Sequence, residues 1–129
     1  MTYCVMYPPQ KPRRFYDEAA KEYEKRLQRF CKVRRVFKLG SVCEGDMIIA
    51  FTPDGEKLSS EELADRFASI ESGGAINRIF LTVQQNTPIQ PNETWALTSL
   101  NISDDLLMVL LLEQIYRSQK IMHNEPYHK

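Results

Sequence analysis

Hydrophobic positions along this chain switch repeatedly between the two-residue period of a strand and the 3.6-residue period of a helix. Residues 2–7 form a short apolar run rich in β-formers, closed by Pro8-Pro9, which predicts a first strand. Over 13–30 the residues Tyr16, Ala20, Tyr23, Leu27 and Phe30 recur at spacings of four and three, the single buried stripe of an amphipathic helix. Residues 32–39, with Val33, Val36, Phe37 and Leu39, read as a second strand, and 40–45 as a connector. Residues 47–52 read as a strand buried on both faces, and Pro53-Asp54-Gly55 makes a turn after it. A helix capped by Ser59 or Ser60 follows to about residue 70, with Glu61 and Glu62 in its first turn and Gly73-Gly74 past its end. Residues 78–83 predict another buried strand, the polar, proline-broken 84–94 a loop, and 95–102 a short strand or extended segment. Ser103 then caps a last helix opening on Asp104-Asp105, carboxylates suited to the positive end of the helix dipole.

The order β-α-β-β-α-β-β-α predicts an α/β fold: a mostly parallel sheet with helices on both faces, in one domain over 1–129. Ligands of such sheets bind beyond the strand C-termini, here the loops at Asp54-Gly55 and 84–94. Leu106, Leu107, Val109, Leu110, Leu111, Leu112 and Ile115 cover nearly all sides of the last helix. One sheet face does not need that much apolar surface, so this helix is expected to serve both the core and a subunit interface.

At 129 residues, 43% hydrophobic and 26% charged, the chain suits one globular domain rather than two, and collagen-like and disordered classes are excluded. Its longest apolar run, 106–112, is far short of the roughly 20 residues that cross a bilayer. No secretory leader pattern opens the sequence. Cys4, Cys31 and Cys43 are odd in number and lack CxxC spacing, so free thiols in a reducing cytoplasm are expected.

The formal charge is zero but unevenly spread. Residues 1–40 hold eleven Lys/Arg against four Asp/Glu, and residues 41–105 hold three against eleven. A neutral total thus hides a basic first helix, with Arg14, Lys21, Lys25 and Arg29 lined up at helical spacing. Such a stripe is what polyanion binding requires, although on charge alone ordinary solvation of a helix accounts for it.

Motifs add little. His123 and His128 stand five apart with no Cys or carboxylate in ligand spacing, so no metal site is expected. Gly-x-Ser-x-Gly, GxxxxGK[ST] and GxGxxG are all missing, and Gly73-Gly74 precedes a strand, as a helix stop does. Capping suffices for Asp104 and Asp105, so no catalytic pair of carboxylates is assigned.

The C-terminal segment is more specific. Leu112-Glu113-Gln114-Ile115-Tyr116-Arg117-Ser118-Gln119-Lys120-Ile121-Met122, followed by Pro126-Tyr127-His128-Lys129, resembles the closing signature of the RlmH family. These are SPOUT-class (α/β-knot) methyltransferases acting on a pseudouridine of large-subunit ribosomal RNA. The likeness extends to Glu22-Tyr23-Glu24-Lys25-Arg26-Leu27, to Leu58-Ser59-Ser60-Glu61 and to Trp95-Ala96-Leu97-Thr98, in the same order along most of the chain.

The resemblance implies a homodimer with a trefoil knot in its C-terminal half, S-adenosylmethionine held in the knot, and RNA near the dimer interface. The implied cofactor contacts are Phe51, Gln84, Gln85, Thr98, Ser99, Leu100, Asn101, Ile102 and Ser103. Arg14, Lys21, Lys25, Arg29 and Arg117 are the implied RNA contacts, supplying affinity through phosphates rather than sequence specificity. Tyr127 and His128 match the family's C-terminal Tyr-His. They are expected to orient the pseudouridine and help remove its N3 proton, or, with equal weight, only to dock the dimer.

Several positions depart from the family pattern. Gln84-Gln85 replace a Gly-Gly pair, Ser103-Asp104 a Pro-His, Met108 an arginine and Asn124 a glycine, and the chain is shorter between strands two and three. Glycine alone lacks the Cβ that would occupy space beside a cofactor. Two functions of different class follow: a methyltransferase with a rebuilt cofactor loop, and a non-catalytic knotted homodimer, without cofactor, that binds RNA or a protein.

Overall fold

A computed structural model of the chain describes residues 2–6, 12–36, 46–73, 78–81 and 90–124. Its elements follow the expected order: β1 (Thr2–Met6), α1 (Arg14–Leu27), β2 (Lys32–Val36), β3 (Met47–Lys57), α2 (Ser60–Ser72), β4 (Arg78–Leu81), β5 (Glu93–Ala96) and α3 (Asp104–Met122). The five strands pair in parallel throughout, in the order β2-β1-β4-β3-β5.

Register sets which side chains share a face. Tyr3 pairs with Val33, Phe80 with both Val5 and Ile49, and Phe51 with Trp95. On that face Tyr3, Val5, Ile49, Phe51, Phe80 and Trp95 are all buried. They join Ala20 and Leu27 of α1, Leu63 and Phe67 of α2, and Leu107, Met108, Leu111, Leu112 and Ile115 of α3 in one core. Aromatic contacts knit it together: Tyr3 stacks on Phe80 at 5.2 Å, and Phe51 meets Phe80 and Trp95 edge-on at 5.6 and 5.9 Å.

The three described helices pack on one face of the sheet, that of Tyr3, Val5, Ile49, Phe51, Phe80 and Trp95, while Ile48 and Ala50 on the other face are buried as well. Crossover handedness explains the shared face. The connections carrying α1 and α2 step in the same direction along the sheet, β1 to β2 and β3 to β4, so right-handed crossovers put both helices on the same side. The connections that step the other way, β2 to β3 and β4 to β5, hold no helix among the described residues.

Helix α3 packs between α1 and α2. Its apolar girth is largely used inside the subunit, because sheet, α1 and α2 each take part of it; Leu106 and Leu110 remain half-buried. No described helix is long and apolar enough to cross a membrane.

Local chemistry fixes the helix starts. Ser59 rather than Ser60 caps α2: its hydroxyl accepts from the Glu62 N–H at 3.1 Å while the Glu62 carboxylate accepts from the Ser59 N–H at 3.0 Å. The turn expected at Pro53-Asp54-Gly55 takes an unexpected form. Strand β3 leaves its ladder with β5 after Phe51 and rejoins it at Glu56, both residues standing opposite Trp95. Residues 52–55 bulge out between them.

Candidate functional site

The bulge of β3 and the end of β5 together build a crevice. Phe51, Thr52, Pro53, Leu97, Thr98, Leu100, Ile102 and Leu107 line it, and its walls nearly close on one another, leaving no room for a water molecule. It lies beyond the C-terminal ends of the strands, where open parallel sheets bind ligands. Residues 97–102 link β5 to α3, and the Ser103 carbonyl accepts the Leu107 N–H at 2.9 Å, the first hydrogen bond of the helix. Within the segment the Leu100 N–H donates to Thr98 Oγ1 at 3.2 Å, and the Leu100 side chain is 68% exposed.

Of the residues expected to hold a cofactor, Thr98, Leu100 and Ile102 line the crevice, and Phe51 reaches it from the fully buried ring pile. Ser99 and Asn101 are exposed and outside its lining. Ser103 caps α3, its hydroxyl accepting the Leu106 N–H at 3.4 Å. Gln84, Gln85, Tyr127 and His128 lie outside the described residues. The sequence reading omits Thr52, Pro53, Leu97 and Leu107; the Pro-Asp-Gly turn is the signal that points to the first two.

The crevice mouth is braced by an ion pair absent from the sequence reading. Arg13, just ahead of α1, donates from Nε to Asp105 Oδ2 at 2.9 Å and from Nη2 to Asp105 Oδ1 at 3.1 Å and to Ser103 Oγ at 3.0 Å. The Arg13 backbone N–H adds a fourth bond, to Asp105 Oδ2, at 3.2 Å. This fork is the strong, geometrically specific form of carboxylate recognition. Hydrogen bonds from Arg13, joined by one from Ser103, hold the Asp105 carboxyl well below the usual carboxylate range against the opposing effect of burial. The negative charge that Asp105 brings to the start of α3 is thus compensated across the α1–α3 contact.

A second guanidinium lies deeper. Arg35 of β2, its side chain 10% exposed, donates to Asp17 at 2.9 Å and pairs with Glu24, both on α1. Its Nη1 is 3.9 Å from the sulfur of Met108. Met108 is fully buried, so where the resembled family carries an arginine on α3, this chain brings a guanidinium alongside from β2. Asp17, bonded by Lys21 and by Arg35, is likewise held below its ordinary pKa.

The basic residues separate into groups. Arg14 pairs with Glu18 and Lys21 with Asp17, each at 3.1 Å, in exposed pairs one turn apart. Lys25 is exposed further along α1, and Arg29, beyond the helix end, lies 4.4 Å over the Phe30 ring. Arg117 is not brought to this group. It sits between α2 and α3, donating to Ser60 Oγ at 2.9 Å and pairing with Glu113 at 3.2 Å, with 19% of its side chain exposed. Among the described residues no group of three His, Cys, Asp or Glu is placed to hold a metal ion.

Comparison with known proteins places these features in a family. Residues 34–128 match the family described as "Predicted SPOUT methyltransferase". The chain is 35% identical to the Ribosomal RNA large subunit methyltransferase H 1 of Thermoanaerobacter sp. (strain X514), with all of both chains covered. It is 29% identical to Ribosomal RNA large subunit methyltransferase H of Thermotoga maritima, covering 88% of this chain and 91% of that one. It is 28% identical to the protein of the same name from Acetivibrio thermocellus, covering 90% and 92%.

Proposed function

Because the chain belongs to the SPOUT methyltransferase family, within the RlmH group, we propose that it methylates N3 of a pseudouridine in large-subunit ribosomal RNA using S-adenosylmethionine. The observation that carries this reading is the crevice at the strand C-termini. Pro53, Leu97, Ile102 and Leu107 offer it apolar walls, and Thr52 and Thr98 offer hydroxyls. That mixture fits the flat ring and hydrogen-bonding edges of an adenosyl group. The described walls leave no room for a ligand as they stand, whereas enclosing clefts run to about 300–1,000 Å³, so they would form only one side of the cofactor site. Gln84 and Gln85 are assigned to the same cofactor contact, with Phe51 behind it and Ser99, Asn101 and Ser103 on its outer segment. Bound there, S-adenosylmethionine supplies an electrophilic methyl group.

Tyr127 and His128 are assigned to the substrate: the phenol orients the pseudouridine and the imidazole accepts its N3 proton. Chain reach supports their acting on a second copy. Helix α3 has 19 residues and is about 28 Å long, with the crevice at its start. From Asn124 to His128 the chain spans at most about 14 Å, too little to return along the helix. A homodimer in which each tail serves the other copy's crevice resolves the shortfall. Lys25 and Arg29, with Arg14 and Lys21 nearer the start of α1, are assigned to RNA phosphates. The partly buried Arg117 is assigned to the α2–α3 contact instead.

Calorimetric titration with S-adenosylmethionine and S-adenosylhomocysteine tests the reading. Micromolar binding, about −8 kcal/mol, is expected, followed by methylation of ribosomes isolated without this modification. Silence up to millimolar ligand would replace the proposal with its alternative, a non-catalytic knotted homodimer that binds RNA or protein.

A further inference from the structure

Chemistry that the crevice does not use gathers at the opposite end of α1 and α3. The two helices run the same way: Arg13 ahead of α1 meets Asp105 at the start of α3, and Phe30 after α1 meets His123 after α3, ring centroids 5.0 Å apart. At this end Tyr116 lies 6.2 Å from Tyr23 and 6.3 Å from Phe30, so four rings form one aromatic surface spanning both helices. Cations are laid on it. Arg29 is 4.4 Å from the Phe30 centroid, and Arg26 and Lys120 are each 5.7 Å from Tyr23 and Tyr116 respectively. His123 is exposed, and its Nδ1 donates to the Gln119 carbonyl at 2.8 Å, which orients the ring.

The surroundings are strongly basic. Residues 21–36 hold seven Lys/Arg against two Glu. Both glutamates are engaged, Glu22 by Arg26 and Glu24 by Arg35. An open cleft between the end of α1 and the start of β2, lined in part by Arg29, Phe30 and Lys32, adjoins the ring surface. Helix-dipole complementarity accounts for a cation in a last turn, but not for contiguous half-buried rings beneath three of them. Rings interleaved with cations are the pattern that grips single-stranded nucleic acid, where bases stack and phosphates pair.

We propose that this surface is a second RNA contact, taking a single-stranded segment with its phosphates against Arg26, Arg29, Lys32 and Lys120 and an unstacked base against Phe30 and His123. The assignment rests on the reading that the substrate is RNA and adds that part of it is met unpaired. About 24 Å of α3 separates Leu107 at the same chain's crevice from His123 at this surface, so the Phe30–His123 end holds flanking nucleotides rather than the reacting one.

Fluorescence anisotropy with a labelled oligouridine of about 12 nucleotides, titrated with the full chain over a series of KCl concentrations, tests it. Lys32→Glu combined with Lys120→Glu should weaken binding at least about tenfold. It should also flatten the log–log salt slope by about 1.4, the share of two single-strand phosphate contacts. Phe30→Leu and, separately, His123→Ala should each cost roughly fivefold or more with the slope unchanged, as lost stacking does. His123 is exposed, so its variant keeps the test sound even if Phe30→Leu fails to fold. Unaltered affinity in the charge and His123 variants would overturn the assignment. So would polyglutamate competing as well as RNA at equal charge, which would make this a surface for acidic proteins. Titration of the unmodified chain with S-adenosylmethionine reports on the crevice separately: its failure removes the methyltransferase reading, while the RNA results stand or fall alone.

Discussion

Gly55 and Trp95 touch through their main chains. A Cβ built on Gly55 would stand 2.6 Å from the Trp95 carbonyl carbon and 2.8 Å from its nitrogen, closer than side chains approach backbone. The contact exists because β3 bulges after Phe51 and rejoins its ladder opposite the same residue it left. Trp95 cannot yield readily, since it is buried against Phe51 and Phe67 with its indole N–H on Glu93. Gly55→Ala should therefore push the bulge outward, moving Thr52 and Pro53 at the crevice rim. A loss of about 1–3 kcal/mol in urea unfolding is expected, with weakened S-adenosylmethionine binding. Wild-type stability in the variant would show that the bulge relaxes freely.

Acid should loosen the contact between α1 and α3. The Asp105 carboxyl is held below its ordinary value chiefly by hydrogen bonds from Arg13, and Asp17 by those from Lys21 and Arg35. Depressed carboxylate pKa values contribute stability that is complete above the unfolded value of about 3.9 and is lost as pH falls towards the folded values. Urea midpoints measured from neutral to strongly acidic pH should drop below about pH 4, and Arg13→Ala should shrink that drop while lowering the neutral plateau. A variant with the same acid limb as the wild type would show that Arg13 does not set it.

Element order was open to sequence reading because each element carries its own local signal. Proline pairs end strands, serines start helices, and the four-three spacing of Tyr16, Ala20, Tyr23 and Leu27 marks one buried stripe. Which face a helix takes is not a local property. It depends on the strand order β2-β1-β4-β3-β5, which no single segment encodes. The same holds for the ion pairs: Asp105 reads as a capping residue, and its partner Arg13 is 92 positions away. Met108 looks like a lost cation in sequence because Arg35, its neighbour in space, lies on β2, 73 positions away. Thr98, Leu100 and Ile102, which the family likeness points to, share the crevice lining with Thr52 and Pro53, which reach it only through the bulge.

Cys31 should be inert in the folded protein. It is buried, and burial, with the charge of Glu71 adding, pushes its thiol up to about 12. At pH 8 only about one molecule in ten thousand then carries the nucleophilic thiolate. Alkylation by iodoacetamide, read peptide by peptide, should leave Cys31 unmodified in buffer and label it fully in urea. Native labelling at the rate of an exposed thiol would show that this corner opens readily.

The reach of the tail makes the dimer testable by complementation. Thr98→Trp should fill the crevice of its own subunit, and His128→Ala should remove the proton acceptor carried by the tail. Each variant alone is expected to be inactive on ribosomes. If the tail of one copy serves the crevice of the other, a mixed dimer regains one complete site: the His128→Ala subunit's intact crevice receives the Thr98→Trp subunit's intact tail. Random mixing makes half the dimers heterodimers, each with one of two sites working, so unfolding and refolding the variants together should restore about a quarter of wild-type activity. Were each tail to serve its own crevice, every subunit in the mixture would carry one defect and no activity would return. Separate refolding followed by mixing is the control, and its activity should rise only as fast as subunits exchange.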